Sequence, residues 1–258
     1  MLGQNFNDLS SYIDFLDKIG DLKRISSEVD PELEISEISS KTIEENGPAL
    51  LFENVKGSSF PVATNLFGSE ERLRLSLGCN PKELGEEILS FAEKAMPPKL
   101  DNLFKSFPFI KRLTNFRSKE QAFNSPCQQI QDEITLEDLP IIKCWPEDGG
   151  KFITMGLTIT ESPISKKPNM GMYRLQMHDK ERLGMHWHPH KGGATHYHEA
   201  RQLGQDFPAA IVLGGDPSLI FAAIAPLPEN INELLFSAFL KRKPITMCKA
   251  ISSNLRVP

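Results

Sequence analysis

The sequence predicts an α+β chain in two parts: a small N-terminal α/β domain followed by a β-rich domain of barrel or sandwich type. Three observations carry this. In the first part, helical and strand-like apolar patterns alternate, the signature of a small layered domain. Residues 97–127 are rich in Pro, Lys and Asn without a clean period, and read as a connection. Beyond them, short β-branched runs are split by Gly, Pro and Asp, as in all-β modules. The boundary is placed between residues 115 and 116, giving domains 1–115 and 116–258.

Within the first domain, Leu9, Ile13, Leu16 and Ile19 recur at helical spacing, and Gly20 supplies a stop. Leu22–Val29 is β-like. Asp30-Pro31 reads as a helix start, the acid capping and proline occupying the first turn. Glu32 and Glu34 suit the positive end of that helix's dipole. After a turn at Asn46-Gly47-Pro48, Ala49–Val55 and Phe60–Leu66 are apolar runs of strand length. Asn80-Pro81-Lys82-Glu83 has the form of a capping box, with Leu84, Ile88 and Phe91 on one helical face.

In the second domain the strand candidates are Ile130–Ile134, Ile141–Cys144, Phe152–Thr160, Met172–Met177, Gly184–His188 and Ala209–Leu213. A short helix is expected over His196–Gln205. A longer one starts near Asn230 and turns Ile231, Leu234, Leu235, Ala238 and Phe239 inward. Ile245–Ile251 reads as a last strand. No internal repeat is present.

Composition narrows the function classes. The 258 residues are 40% hydrophobic and 24% charged, which excludes a disordered or low-complexity chain. A net charge of −5 argues against a nucleic-acid partner, because such proteins present a basic face. Cys79, Cys127, Cys144 and Cys248 are widely spaced with no CxxC pair. That disfavours a disulfide framework or zinc knuckle and favours a reducing compartment. The acidic N-terminus does not resemble a signal peptide, and no apolar run approaches the ~20 residues of a membrane span. The expected location is the cytoplasm.

All six histidines fall between His178 and His198. On an extended backbone His186, His188 and His190 would share one face. Such a face can supply imidazoles to a metal such as zinc, or can be a solvated polar surface. Pro189 marks an edge or an ending there. Arg174 sits in an apolar strand-like run, where a planar guanidinium holds a carboxylate or phosphate, or simply an ion-pair partner. Asn169 follows Pro168 at a turn. Lys191-Gly192-Gly193 precedes a helix start and could turn backbone N–H groups toward an anion. Gly214-Gly215-Asp216-Pro217 reads as a tight turn and lacks phosphate-loop spacing. Glu233 stands at capping-box spacing from Asn230, which makes helix capping its first reading.

Longer motifs carry a resemblance. PALLFENVKG and NLFGSEERLRLSLG (48–78), LPIIKCWPEDGGKFITMG (139–156), NMGMYRLQ, MHWHPHKGGATHYHEA, FPAAIVLGGDP, APLPENINE and LRVP occur in one order along nearly the whole chain. In these stretches the sequence resembles the UbiD family of decarboxylases. The resemblance implies a central split β-barrel related to flavin reductases, here incomplete, that binds prenylated FMN. It implies a divalent metal, Mn2+ or Mg2+, holding the cofactor phosphate, with K+ nearby. The metal ligands map onto Asn169, His190 and Glu233. The backbone of Gly171, Met172 and Tyr173 would pass beside the cofactor, and Arg174 would hold the substrate carboxylate. Position 188 is often glutamine in the family and is histidine here.

The implied reaction is reversible, non-oxidative decarboxylation of an aromatic or α,β-unsaturated acid, ubiquinone-precursor decarboxylation being the best-known example. The implied partners are the small carboxylic acid, a flavin prenyltransferase that supplies the cofactor, and further copies of the full-length chain. Membrane contact would be peripheral, and only for a polyprenylated substrate. The family's acidic EGPxGE/D-like segment follows an LxVPA stretch, within which Leu255-Arg256-Val257-Pro258 ends the sequence. The expectation is a fragment without the proton donor, inactive alone. A non-catalytic flavin- and metal-binding module and one half of a split decarboxylase are the alternatives.

Overall fold

The computed structural model describes residues 6–86, 118–121, 125–131, 134–227 and 232–258. The first unit is built on strand β2 (Ala49–Phe52), an apolar run buried along its whole length. It pairs in parallel with β1 (Leu22–Ile25) and antiparallel with β3 (Val62–Thr64). Because strand side chains alternate, β2 feeds two cores. Leu50 and Phe52 pack with Ile35 of helix α2 (Glu34–Glu44), while Ala49 packs with Tyr12 and Leu16 of α1 (Leu9–Lys18). The α1 helix matches its expected span, and Gly20 beyond it takes the left-handed φ of +78° that a side chain disfavours.

The α2 start differs from expectation. Asp30 does not cap it. Its carboxylate accepts the Glu32 N–H at 2.9 Å, and Glu32 bridges to Lys143. The helix begins three residues later than Pro31, after Leu33 at φ 70°. A third helix, α3 (Glu70–Leu77), has no counterpart in the apolar pattern, because its buried positions include Arg72 and Ser76. Arg72 is neutralised by Asp21 at 2.8 Å and also donates to the Gly47 carbonyl. Residues 81–86 are helical as the capping-box pattern predicts, but Ile88 and Phe91 lie outside the described residues, as does most of the 97–127 connection.

The described residues of the second unit carry nine short strands. Strand β4 is Lys119–Glu120, β5 Phe152–Ile153, β6 Leu157–Glu161, β7 Pro168–Met172, β8 Leu175–Met177 and β9 Leu183–Met185. Helix α4 (Gly192–Gln202), β10 (Ala210–Val212), α5 (Pro217–Ile224), α6 (Glu233–Lys241), β11 (Thr246–Lys249) and β12 (Arg256–Val257) follow. They form three three-stranded sheets, ordered β10-β6-β7, β5-β8-β9 and β12-β11-β4. Among the described residues the strands make two small antiparallel sheets and one small mixed sheet, and no closed barrel.

Several expected runs are divided. Phe152–Thr160 splits at Gly156, where a Cβ would strike Leu175 at 2.9 Å. Met172–Met177 splits at Tyr173-Arg174, and Ile141–Cys144 reduces to bridges at Ile142 and Lys143. Ile130, Gln131 and Ile134 are irregular, the residues between them lying outside the description. The strand expected over Gly184–His188 ends at Met185. Gly214-Gly215-Asp216-Pro217 is more than a turn: Asp216 caps α5, and Pro217 takes its first position.

The β6 strand organises the second unit. Leu157 and Ile159 join Met170, Leu219, Leu234 and Ala238 in the core beneath α5 and α6. Thr158 and Thr160 are equally buried on the opposite face, toward α4. The two units touch: Leu9 N–H donates to the Gly214 carbonyl at 3.0 Å, and Phe67 meets Phe221 edge-on at 5.1 Å.

Candidate active site

The β7 strand is the edge of its sheet, and its register pairs Asn169 with Thr160 and Gly171 with Thr158. Asn169 and Gly171 therefore share the α4 face, while Met170 and Met172 point to the apolar core. Beside this edge lies a cavity of about 650 Å³. Its walls include Asn169, Gly171 and Tyr173 from β7 and its end, His190, Lys191 and Gly192 from the α4 start, and Asn232 and Glu233 from the α6 start. Residues far apart in sequence thus converge because an edge strand and two helix N-termini meet there.

Glu233 does not serve as the helix cap. Asn232 caps α6, its side chain accepting the Leu234 and Leu235 N–H groups. The Glu233 carboxylate instead accepts the edge amide of Met170 at 3.3 Å. Burial pushes its pKa above the ordinary carboxylate value, opposed only by backbone N–H donors. The residues 230 and 231, on which the capping-box spacing rested, lie outside the description.

Asn169 is held with one amide atom, Nδ2, buried and without a hydrogen-bond partner. A Cβ on Gly192 would reach its Oδ1 at 2.2 Å, so glycine is required for the helix to begin this close. Tyr173 is buried; its phenol oxygen accepts the Gly193 N–H at 3.2 Å and its ring meets Trp187 edge-on. Burial raises the Tyr173 pKa, against the lowering effect of the Gly193 N–H and the Asn169 side chain. Gly171 and Gly193 both lie where a Cβ would collide with Tyr173, at 2.7 and 2.9 Å. His196 lines the same cavity, with Nδ1 3.0 Å from Thr160 Oγ1, and burial lowers its pKa.

The three alternating histidines are not displayed along a strand. His186 follows the end of β9, and Pro189-His190 form a turn whose His188 carbonyl accepts the Lys191 N–H at 3.0 Å. Among the described residues no three His, Cys, Asp or Glu side chains are grouped to hold a metal ion, so the His186, His188 and His190 zinc arrangement is not formed. An Asn-His-Glu set has only two such residues and is a different arrangement.

Arg174 and Met172 are not in the cavity wall. Arg174 lies where the chain leaves β7 for β8. Its guanidinium donates to Asp148 at 2.6 Å and sits 3.7 Å over the Phe152 ring. The sequence does not single out Asp148 as a site residue. The turn signal Pro146-Glu147-Asp148-Gly149-Gly150 was available, but nothing in it announces an arginine partner.

Residues 13–92 match the 3-octaprenyl-4-hydroxybenzoate carboxy-lyase N-terminal domain, and 119–258 match the carboxy-lyase Rift-related domain. The chain belongs to the UbiD family. Among solved structures it is similar to the UbiD-class enzyme HmfF from Pelotomaculum thermopropionicum in complex with FMN, at 25% identity and a TM-score of 0.79, covering 97% of this chain and 52% of that one. An evolved dimeric HmfF in complex with prFMN gives 25% identity and 0.80, covering 98% and 55%. The closed form of Sedimentibacter hydroxybenzoicus vanillic acid decarboxylase gives 26% identity and 0.80, covering 99% and 53%. This UbiD chain therefore spans about half the length of the solved structures it matches. Among its described residues no helix is long and apolar enough to cross a membrane.

Proposed function

We propose that this chain is the cofactor-holding portion of a UbiD-class decarboxylase that releases carbon dioxide from an aromatic or α,β-unsaturated acid with prenylated FMN. The observation that carries the reading is the cavity in which Asn169, His190 and Glu233 converge. Two oxygens and one imidazole suit a hard, octahedral cation such as Mn2+ or Mg2+. The fit is supported by the carboxylate of Glu233, whose negative charge is desolvated in the cavity wall and which a cation would satisfy. The divalent ion would neutralise the cofactor phosphate, with K+ as a second cation. The two family matches end at residue 92 and resume at 119, which is compatible with domains meeting at 115 and 116; the second domain is read as part of a split barrel.

When bound, the flavin supplies carbanion stabilisation at the carbon that loses carbon dioxide. The chain's own contribution is placement. Gly171, Met172 and Tyr173 provide backbone beside the ring system. Arg174 takes the substrate carboxylate on one edge of its planar fork while Asp148 and Phe152 hold the rest of it in place. No residue of this chain is assigned as the proton donor.

The test is a flavin titration with and without Mn2+. Binding is expected to need the metal, and to weaken about 10-fold or more in Glu233→Gln and Asn169→Ala. Metal-independent binding, or unchanged affinity in both variants, sinks the assignment. The half-length match supports a second reading, one half of a split decarboxylase. Mixing the chain with a family C-terminal half and measuring carbon dioxide release separates the two. Turnover only in the mixture favours the split enzyme, and turnover only after covalent fusion favours a portion of a single chain.

A further inference from the structure

Away from this cavity, residues 118–121 and 125–131 lie against β11. Lys119 and Glu120 pair in parallel with Thr246 and Met247, and the Gln121 N–H donates to the Met247 carbonyl at 2.8 Å. The Gln128 side chain donates to the Lys249 carbonyl at 2.5 Å. Between these anchors, Cys127 and Cys248 place their sulfur atoms 3.4 Å apart across 121 residues of sequence. Neither sulfur is in a disulfide. A disulfide bond is about 2.0 Å long, so closing the gap asks for about 1.4 Å of combined side-chain movement. The hydrogen bonds of Gln121 and Gln128 hold the two backbones side by side on either side of the pair.

The two thiols differ in access. Cys248 is only 4% exposed, whereas Cys127 is exposed. Both line a second cavity, of about 700 Å³, that admits a small reagent. This is the arrangement of an outer attacking thiol backed by an inner resolving one.

We propose that Cys127 and Cys248 form an oxidisable dithiol, at which a low-molecular-weight disulfide closes a reversible cross-link between the 125–131 segment and β11. The Cys127 thiolate attacks the reagent's disulfide, expelling one thiol and leaving a mixed disulfide. The Cys248 thiolate then attacks the Cys127 sulfur and expels the second thiol. The protein loses two protons and two electrons, and the reagent disulfide is reduced to two thiols. Burial, and then the neighbouring Cys248 thiol, hold the Cys127 pKa above the ordinary thiol value, so the reaction accelerates toward alkaline pH.

The experiment treats the full 258-residue chain with oxidised glutathione, blocks remaining thiols by alkylation and maps the peptides. The expected product is one cross-linked pair joining Cys127 to Cys248, reversed by dithiothreitol, with a thermal midpoint several degrees above that of the reduced chain. Cys127→Ser, an exposed substitution that spares the core, should remove both the cross-link and the thermal shift. Cys248→Ser should stop at a stable glutathione adduct on Cys127. A lasting glutathione adduct on Cys127 in the unsubstituted chain would overturn the proposal. So would a cross-link through Cys79 or Cys144, or no cross-link at alkaline pH.

Discussion

Gly192 illustrates how single residues hold the cavity together. In an ordinary helix, alanine in place of glycine stabilises by up to about 1 kcal/mol. Here the added Cβ would lie 2.2 Å from Asn169 Oδ1, far inside contact distance, and a short amide side chain can only escape by turning. Gly192 is the first residue of α4, where interior propensity counts for little, and the clash is with a side chain that can turn away, so Gly192→Ala is expected to leave the thermal midpoint within a few degrees of the parent. Metal-dependent flavin binding should weaken about 10-fold, because the displaced Asn169 is a ligand in the proposed set. Calorimetric titration with Mn2+ and FMN checks it, and unimpaired binding would separate Asn169 from the metal. The same scale explains why these residues were hard to read in sequence. Asn169 and Glu233 are 64 positions apart, and each invites an ordinary local reading, turn residue or helix cap, that the structure does not bear out: Asn169 lies inside β7 and Asn232 is the cap. Only the family motifs linked them. Asp148 and His196 were missed because an ion-pair partner and a buried imidazole leave no local pattern.

At the scale of elements, Asp216 is the more demanding test. Its carboxylate caps α5 through the Ser218 N–H at 2.8 Å and pairs with Lys241 of α6 at 2.9 Å, both partners being nearly buried. Asp216→Ala removes a cap worth about 1 kcal/mol and strands a buried ammonium, which costs about 3–5 kcal/mol. The expected loss in urea unfolding is at least about 3 kcal/mol. Asp216→Asn keeps the cap and should fall between. A loss below about 1 kcal/mol for the alanine variant would show that Lys241 finds water instead. The pattern Asp-Pro occurs twice in this chain with opposite results. At Asp216-Pro217 it starts a helix that was read as a turn. At Asp30-Pro31 it was read as a start, but the backbone is drawn into a bridge with Lys143 first. The cap signal is local, whereas the winning partner is not. The α1 helix and the strands at 22–25, 49–52 and 210–212 were legible because their apolar periodicity is undisturbed. The α3 helix was not, because the residues it buries are an arginine and a serine.

For the whole molecule, the two family segments are not independent beads. The edge-on pair of Phe67 and Phe221 and the hydrogen bond from Leu9 to Gly214 join them. An aromatic pair of this kind contributes about 1 kcal/mol beyond its buried area. A double-mutant cycle on Phe67→Ala and Phe221→Ala should return a coupling of about that size, measured by chemical unfolding. Strict additivity would mean that the segments fold without regard to each other.

One consequence of the β7 geometry concerns self-association. An edge strand offers its unpaired amides to any neighbouring chain. Here the Met170 N–H is taken by Glu233, and the Pro168 carbonyl accepts the Asn232 side chain at 3.4 Å. The start of α6 thus shields this edge as well as walling the cavity. Substitutions at Glu233 would then expose a template for intermolecular strand pairing, and loss of ligand binding and a tendency to precipitate would arise from the same residue.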